Sequence, residues 1–270
     1  MLASRTRRPA VAGYFYPSDA DALRARLTLL SGSREPRAQT AVLLPHGALE
    51  RSGAVVAQAL RCTEIPRRCV IVGASHNGRG PFWSLLRHAN YSTPLGEVPL
   101  DEELADALIE QSAALEVDDE AHDGEYAIEA LLPWLQAFGP ADLAIVPIVA
   151  RASADDGLPV GEALARAIRR AGEPVLLVAS SDLSHYLPHS LATRDDARLI
   201  GQIESLDVAE FCREMAQRGA SVCGAAAIVA MMVASRELGA RRGGLVRYAT
   251  SVDTGGDPES AIGYAGIVVN

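Results

Sequence analysis

Three apolar runs, each leading into a histidine, constrain this chain more than any other feature. AVLL at 41–44 is followed by Pro45 and His46, and CVIV at 69–72 leads through Gly73, Ala74 and Ser75 to His76. PVLLVA at 174–179 passes through the polar loop SSDLSH to His185. Runs that are apolar throughout, rather than alternating, read as strands buried on both faces. Further strands are expected at 143–149, 245–250 and 262–269. Helical patterns cover 19–30, 52–60, 101–111, 125–137, 161–170, 191–203, 207–217 and 223–238. Strands separated by helices of this length predict an α/β fold: a mixed, largely parallel sheet with helices on both faces. Pro147 cannot donate to a ladder, so the run at 143–149 is expected to be an edge strand or to carry a bulge. No long linker, fixed-period repeat or low-complexity tract interrupts the pattern, and one domain over 1–270 is the expectation.

In open α/β sheets the crevice beyond the carboxyl ends of the strands is where ligands bind. Parallel neighbours therefore deliver His46, His76 and His185 to one edge of the sheet, although they are far apart in sequence. One histidine after a strand is ordinarily a loop residue or a hydrogen-bonded core group. Three of the six histidines at equivalent topological positions point to a shared site.

Composition narrows the partners. A net charge of −9 argues against nucleic acid, which demands a basic surface. No stretch approaches the ~20 apolar residues of a membrane span. The basic N-terminus has no long apolar core after it, so no secretory signal is expected. Four cysteines without a CxxC pair suit a reduced, cytoplasmic protein.

Several further residues carry chemistry in their position. Asp182 shares the loop of His185 and could ligate a metal, orient a histidine or cap a local turn. Cys223 opens the apolar stretch CGAAAIVAMMVA, and a thiol at a helix N-terminus is biased toward the thiolate that binds metals. Cys62, Cys69 and Cys212 read as small buried hydrophobes. In the segment 120–136, Glu125 and Glu129 are four apart on an expected helix and read as surface carboxylates. His122 precedes that helix, and nothing in its spacing requires a role.

At these residues the chain resembles the Memo family, known in prokaryotes as AmmeMemoRadiSam system protein B. The resemblance is carried by RRPAVAGYFYP at 7–17, LLPHGALERSG at 43–53, VGASHNG at 72–78, EYAIEALLPWLQ at 125–136, SSDLSHY at 180–186 and CGAAAI at 223–228. These motifs occur in the family's order along most of the chain. The resemblance implies a fold like that of class III extradiol ring-cleavage dioxygenases, which use a non-haem iron. It further implies His46, His76 and Cys223 as metal ligands, with Asp182 and His185 beside them and His185 as the acid/base group. Two positions depart from the family's pattern. Pro45, His46, Gly47, Ala48 and Leu49 stand where PHAGY is usual, and Glu125, Tyr126 and Ala127 stand where EHS is usual.

The function that follows is a metal-dependent redox enzyme acting on an unknown small molecule or peptide. Iron(II) is the favoured cofactor, with copper or zinc as alternatives for a site of two imidazoles and a thiolate. A second class is a non-catalytic adaptor using the same pocket for a peptide or protein. The resemblance implies AMMECR1-like and radical-SAM proteins as its partners. A hydrolase ranks last, because Asn77 stands where a G-x-S-x-G elbow around Ser75 requires glycine, and Ser184 adjoins His185 too closely in sequence for triad geometry.

Overall fold

The structure, a computed structural model, describes residues 5–33, 35–218 and 222–270. The first half of the chain forms β1 (Arg5–Arg7), α1 (Ala20–Ser31), β2 (Ala41–Leu44), α2 (Leu49–Arg61) and β3 (Arg68–Ala74). It continues through β4 (Trp83–Leu85), β5 (Ala89–Thr93), β6 (Gly96–Val98), α3 (Glu102–Gln111), β7 (Glu116–Val117) and α4 (Leu132–Phe138). The second half gives β8 (Ala144–Ala150), α5 (Gly157–Ala171), β9 (Val175–Ser180) and α6 (His189–Glu204). It ends with α7 (Val208–Arg218), α8 (Ala225–Glu237), β10 (Gly243–Thr250) and β11 (Gly263–Val269).

Eight strands form one sheet in the order β10-β11-β2-β9-β3-β8-β4-β7. Its centre, β2-β9-β3-β8, is wholly parallel, and β11 and β4 flank it antiparallel. The central strands are apolar throughout because successive side chains feed two different cores. Ala41, Leu43, Val70, Val72, Leu177 and Ala179 pack under α3, α5, α6, α7 and α8. Val42, Leu44, Cys69, Ile71, Leu176 and Val178 pack under α1, α2 and α4. This is the mixed α/β architecture with helices on both faces that the hydrophobic pattern predicts.

Helix α8 is hydrophobic on nearly every side because it lies in the thick core, against the sheet and α5. Gly161 of α5 makes that contact tight: a Cβ there would stand 2.6 Å from Val233 Cβ and 2.7 Å from the Ala230 carbonyl oxygen. Gly157 repeats the close approach one turn nearer the start of α8, where a Cβ would stand 3.0 Å from Val229 Cβ and against the Ala226 carbonyl oxygen.

Three expectations require correction. The strand β8 lies inside the sheet, between β3 and β4, and not at an edge. Pro147 is tolerated because β4 pairs only with 148–150, while the backbone at 99–101 takes over at Ile145, so the missing N–H falls where the neighbour changes. The helix expected over 125–137 is only Leu132–Phe138, preceded by 3-10 turns at Glu120–His122 and Glu129–Leu131. The stretch of Cys223 becomes helical two residues late, at Ala225. Among the described residues, no helix is long and apolar enough to cross a membrane. The first four residues of the basic N-terminus lie outside the described residues.

Candidate metal centre

The registers of β2, β9 and β3 place Leu44, Ser180 and Gly73 side by side at the carboxyl edge of the sheet. The next residues on these adjacent strands are the loops of His46, Asp182 and His76. Cys223 reaches the same edge from the opposite direction, just before α8. Side-chain donor atoms of His46, His76 and Cys223 all lie within 4.8 Å of one another. The two imidazoles meet edge to face, with ring centroids 5.0 Å apart.

Each imidazole has one nitrogen committed to the protein. Ser180 Oγ donates its single proton to the Ala127 carbonyl at 2.6 Å, so it accepts from His46 Nδ1 at 2.8 Å. His46 Nε2 is thereby left with its lone pair, 3.4 Å from Cys223 Sγ. His76 Nδ1 lies 2.8 Å from Glu125 Oε1, which can only accept when ionised, and Nε2 is again the nitrogen left for a ligand. Burial holds the buried His46 ring below the ordinary imidazole range, so it is neutral, the form that binds metals. Burial alone would raise the Glu125 carboxyl, but the hydrogen bonds from His76 and from backbone amides hold it lower.

Cys223 differs from its sequence expectation. Burial, and then the nearby Asp182 carboxylate, push its thiol up to about 12, so the helix N-terminus does not make it a thiolate by itself. Its sulfur accepts the Asp182 backbone N–H at 3.3 Å, an arrangement that suits a negative sulfur once a cation replaces the proton. Gly224 permits this placement. A Cβ there would lie 2.6 Å from Ser181 Cβ and 2.7 Å from the Ser180 carbonyl oxygen. Two imidazole nitrogens and a thiol sulfur form a borderline-soft donor set that fits Fe(II), Zn or Cu and does not suit Mg or Ca.

Asp182 is buried, and its Oδ1 accepts the His46 backbone N–H at 2.9 Å, so its visible work is to hold the turn that carries His46. His185 lies farther along that loop, half-buried, with Nδ1 2.8 Å from the Leu183 carbonyl oxygen. Tyr126 stacks on His76 at 4.3 Å and meets His46 edge-on at 5.9 Å, forming one wall of the centre. Phe15 supports that wall edge to face at 5.0 Å.

The remaining candidates fall away from the centre or change role. Glu125 and Glu129 do not share a helical face and are not surface groups; both are fully buried. Glu129 pairs with Arg7 at 2.6 Å. His122 is a core residue: its Nε2 faces the Ser84 carbonyl at 3.0 Å, and Tyr91 Oη lies 3.1 Å from its Nδ1. Ser75 Oγ hydrogen-bonds Asn77 and Ser184 Oγ hydrogen-bonds Asp196, and among the described residues neither hydroxyl bonds an imidazole. Cys69 and Cys212 are buried, and Cys62 is half-buried at the end of α2.

Sequence reasoning missed the residues that orient the candidate ligands. Glu125 was legible in part, because a glutamate flanked by the apolar run that ends in ALLPWL is poorly placed for a solvated face. Ser180 carried no signal beyond being the last residue of a strand, and Arg7 lies in a basic segment that reads as solvent-exposed.

Comparison with known proteins agrees with these features. The Memo family, described as Memo-like protein, matches residues 7–268. A MEMO1 family protein of Methanothermobacter thermautotrophicus is 36% identical, the alignment covering 96% of this chain and 98% of that one. One from Aquifex aeolicus is 34% identical over 98% of this chain and 99% of its own. The crystal structure of an uncharacterized protein from Escherichia coli K12 is similar in fold, with a TM-score of 0.57 at 17% identity. That match covers 86% of this chain and 100% of the other. With the family match running from Arg7 into the last strand, and relatives more than 30% identical over nearly the whole chain, the chain belongs to the Memo-like protein family.

Proposed function

We propose that this protein is a non-haem, metal-dependent redox enzyme related to the class III extradiol dioxygenases, with His46, His76 and Cys223 as its metal ligands. The observation that carries the reading is the convergence of these three donors within 4.8 Å, each imidazole having its other nitrogen committed to the protein. Iron(II) is the favoured ion, with zinc and copper as alternatives on the same donors. When bound, such an ion supplies a Lewis-acidic, redox-active centre with open positions for a small molecule.

The chain's own residues supply the rest. Asp182 holds the His46 turn, while Ser180 and Glu125 fix the two ring orientations. His185 is the proton-transfer group, its ring anchored by the Leu183 carbonyl. Burial raises the Tyr126 phenol above its ordinary range, so it stays protonated at neutral pH and offers a hydrogen-bond donor to whatever occupies the pocket. Cys223 replaces the carboxylate of the dioxygenases' facial set, which changes charge donation to the metal and argues for a substrate other than a simple catechol.

Metal analysis of protein purified without oxygen tests the reading. Close to one equivalent of a first-row transition metal, lost in His46→Ala and Cys223→Ala, is the expected result. On the iron-loaded protein, nitric oxide should produce the EPR signal of an open ferrous site. Less than roughly a tenth of an equivalent, with no uptake on reconstitution, would contradict the proposal, because sites of this kind bind tightly.

A further inference from the structure

Arg7 touches no candidate ligand, yet it is buried at 4% exposure beside the turn that orients one of them. Its guanidinium spans that turn. Nε donates to the His122 carbonyl at 2.7 Å, Nη2 donates to the Glu125 carbonyl, and Nη1 reaches Glu129 Oε2 at 2.6 Å. Its planar face rests over the Tyr91 ring, 4.6 Å from the centroid. Glu129 in turn accepts the backbone N–H groups of Ala10 and Val11 and the hydroxyl of Tyr16. The segment 7–16 is thus clamped to 122–129 from two directions, by Arg7 on the turn 122–125 and by Glu129 on the segment itself.

The turn closes with the Glu125 N–H on the His122 carbonyl at 3.2 Å. Asn77 Nδ2 donates to the Asp123 carbonyl and the His122 ring is fixed by Ser84 and Tyr91, and it is Arg7 that grips the Glu125 carbonyl itself. Glu125 must nevertheless be placed accurately. Its carboxylate accepts from His76 Nδ1 and from the backbone N–H groups of His76, Asn77, Tyr126 and Ala127. Any shift of the Glu125 backbone is therefore passed to the His76 ring. A rigid, forked guanidinium meets two carbonyls and a carboxylate with donors spread and fixed in direction, whereas the lysine ammonium is a compact charge on a flexible stem.

We infer that Arg7 is a positioning residue of the metal centre, which fixes His76 through Glu125 and makes metal affinity depend on the docking of segment 7–16. The inference rests on the metal-binding reading above. It differs from a purely structural role in one respect. Arg68 is a comparably buried arginine, paired with Asp101 and Glu173, but it stands at the opposite end of β3 from His76. Its loss should cost stability without reaching the centre.

The test compares full-length, metal-free wild type with Arg7→Met, Arg7→Lys and Arg68→Met. Cobalt(II) titration and urea unfolding are measured on each, together with nitrogen-15 spectra of the His76 imidazole. Arg7→Met is expected to weaken cobalt binding by on the order of tenfold or more and to mix the His76 tautomers in the metal-free protein. Arg7→Lys should recover part of both, and Arg68→Met should lose stability while binding cobalt as wild type does. If Arg7→Met does not fold, Arg7→Lys carries the comparison. Wild-type cobalt affinity with an unaltered His76 tautomer in the Arg7 variants would overturn the inference, whatever stability they lose. A wild type that takes up no cobalt would instead contradict the metal reading, and the tautomer comparison would still decide whether Arg7 governs His76.

Discussion

Glu125 holds His76 at two points: Oε1 lies 2.8 Å from the ring Nδ1, and Oε2 accepts the backbone N–H of the same residue. One carboxylate therefore sets both the direction of the imidazole and the path of the loop that carries it. Replacing it with the amide in Glu125→Gln keeps the shape but turns one acceptor into a donor facing other donors. Metal affinity is expected to fall by about 10–100-fold, measured by chelator competition, with a stability cost of about 1–3 kcal/mol for the unsatisfied buried groups. Unchanged affinity would mean that His76 is oriented by other means.

Proton release should accompany metal binding. With its thiol pushed up to about 12, Cys223 is protonated in the metal-free protein at neutral pH, and a bound ion must displace that proton. The buried His46 ring is already neutral and releases none. Affinity should therefore rise with pH, by roughly tenfold per unit for one proton. Calorimetry in buffers of different ionisation heat measures the release, and Cys223→Ser should abolish it near neutrality.

Acid should destabilise the fold through His122, far from any ligand role. Burial, opposed only in part by its bond to the Ser84 carbonyl, lowers its pKa from 6.5 to about 4. The unfolded chain takes up a proton near 6.5 while the folded chain resists until about 4. The stabilisation is thus present above pH 6.5 and is lost as pH falls through that window. The gap between the two values corresponds to about 3 kcal/mol. Urea unfolding of metal-free protein across this range should show a shallower pH dependence in His122→Gln.

Two glycines separate crowding at the centre from helix propensity elsewhere. Gly224→Ala forces a methyl against Ser181 and the Ser180 carbonyl, beside Cys223. It should cost about 1–3 kcal/mol and weaken metal binding as well. Gly201→Ala, in α6 with open space around the added carbon, should stabilise by up to about 1 kcal/mol and leave metal binding unchanged. Thermal melts and cobalt titrations of both variants decide the matter.

The parts of this architecture that rest on long apolar periodicity were legible in the sequence. The strands after which His46, His76 and His185 come are buried on both faces, and short apolar runs rich in valine and leucine and closed by polar loops fit that environment. The small strands at 83–85, 89–93 and 96–98 were not legible, because they are short and carry polar residues such as Ser84, Asn90 and Glu97. The helix expected from Glu125 failed for a related reason. Apolar residues around 127–135 are buried on all sides of an irregular turn, and this mimics an amphipathic repeat. The ligand candidates could be named because histidines at strand ends share a topological position. Of their supports, Ser180 and Arg7 came from hydrogen bonds that only the three-dimensional arrangement reveals, and Glu125 was signalled only by its apolar neighbours.

Diffraction from metal-loaded crystals, recorded on both sides of the metal's absorption edge, addresses the coordination directly. The expected result is one anomalous peak at about 2.0–2.4 Å from His46 Nε2, His76 Nε2 and Cys223 Sγ. A peak that excludes the sulfur, or no peak in this crevice at all, would contradict the assignment of these three residues.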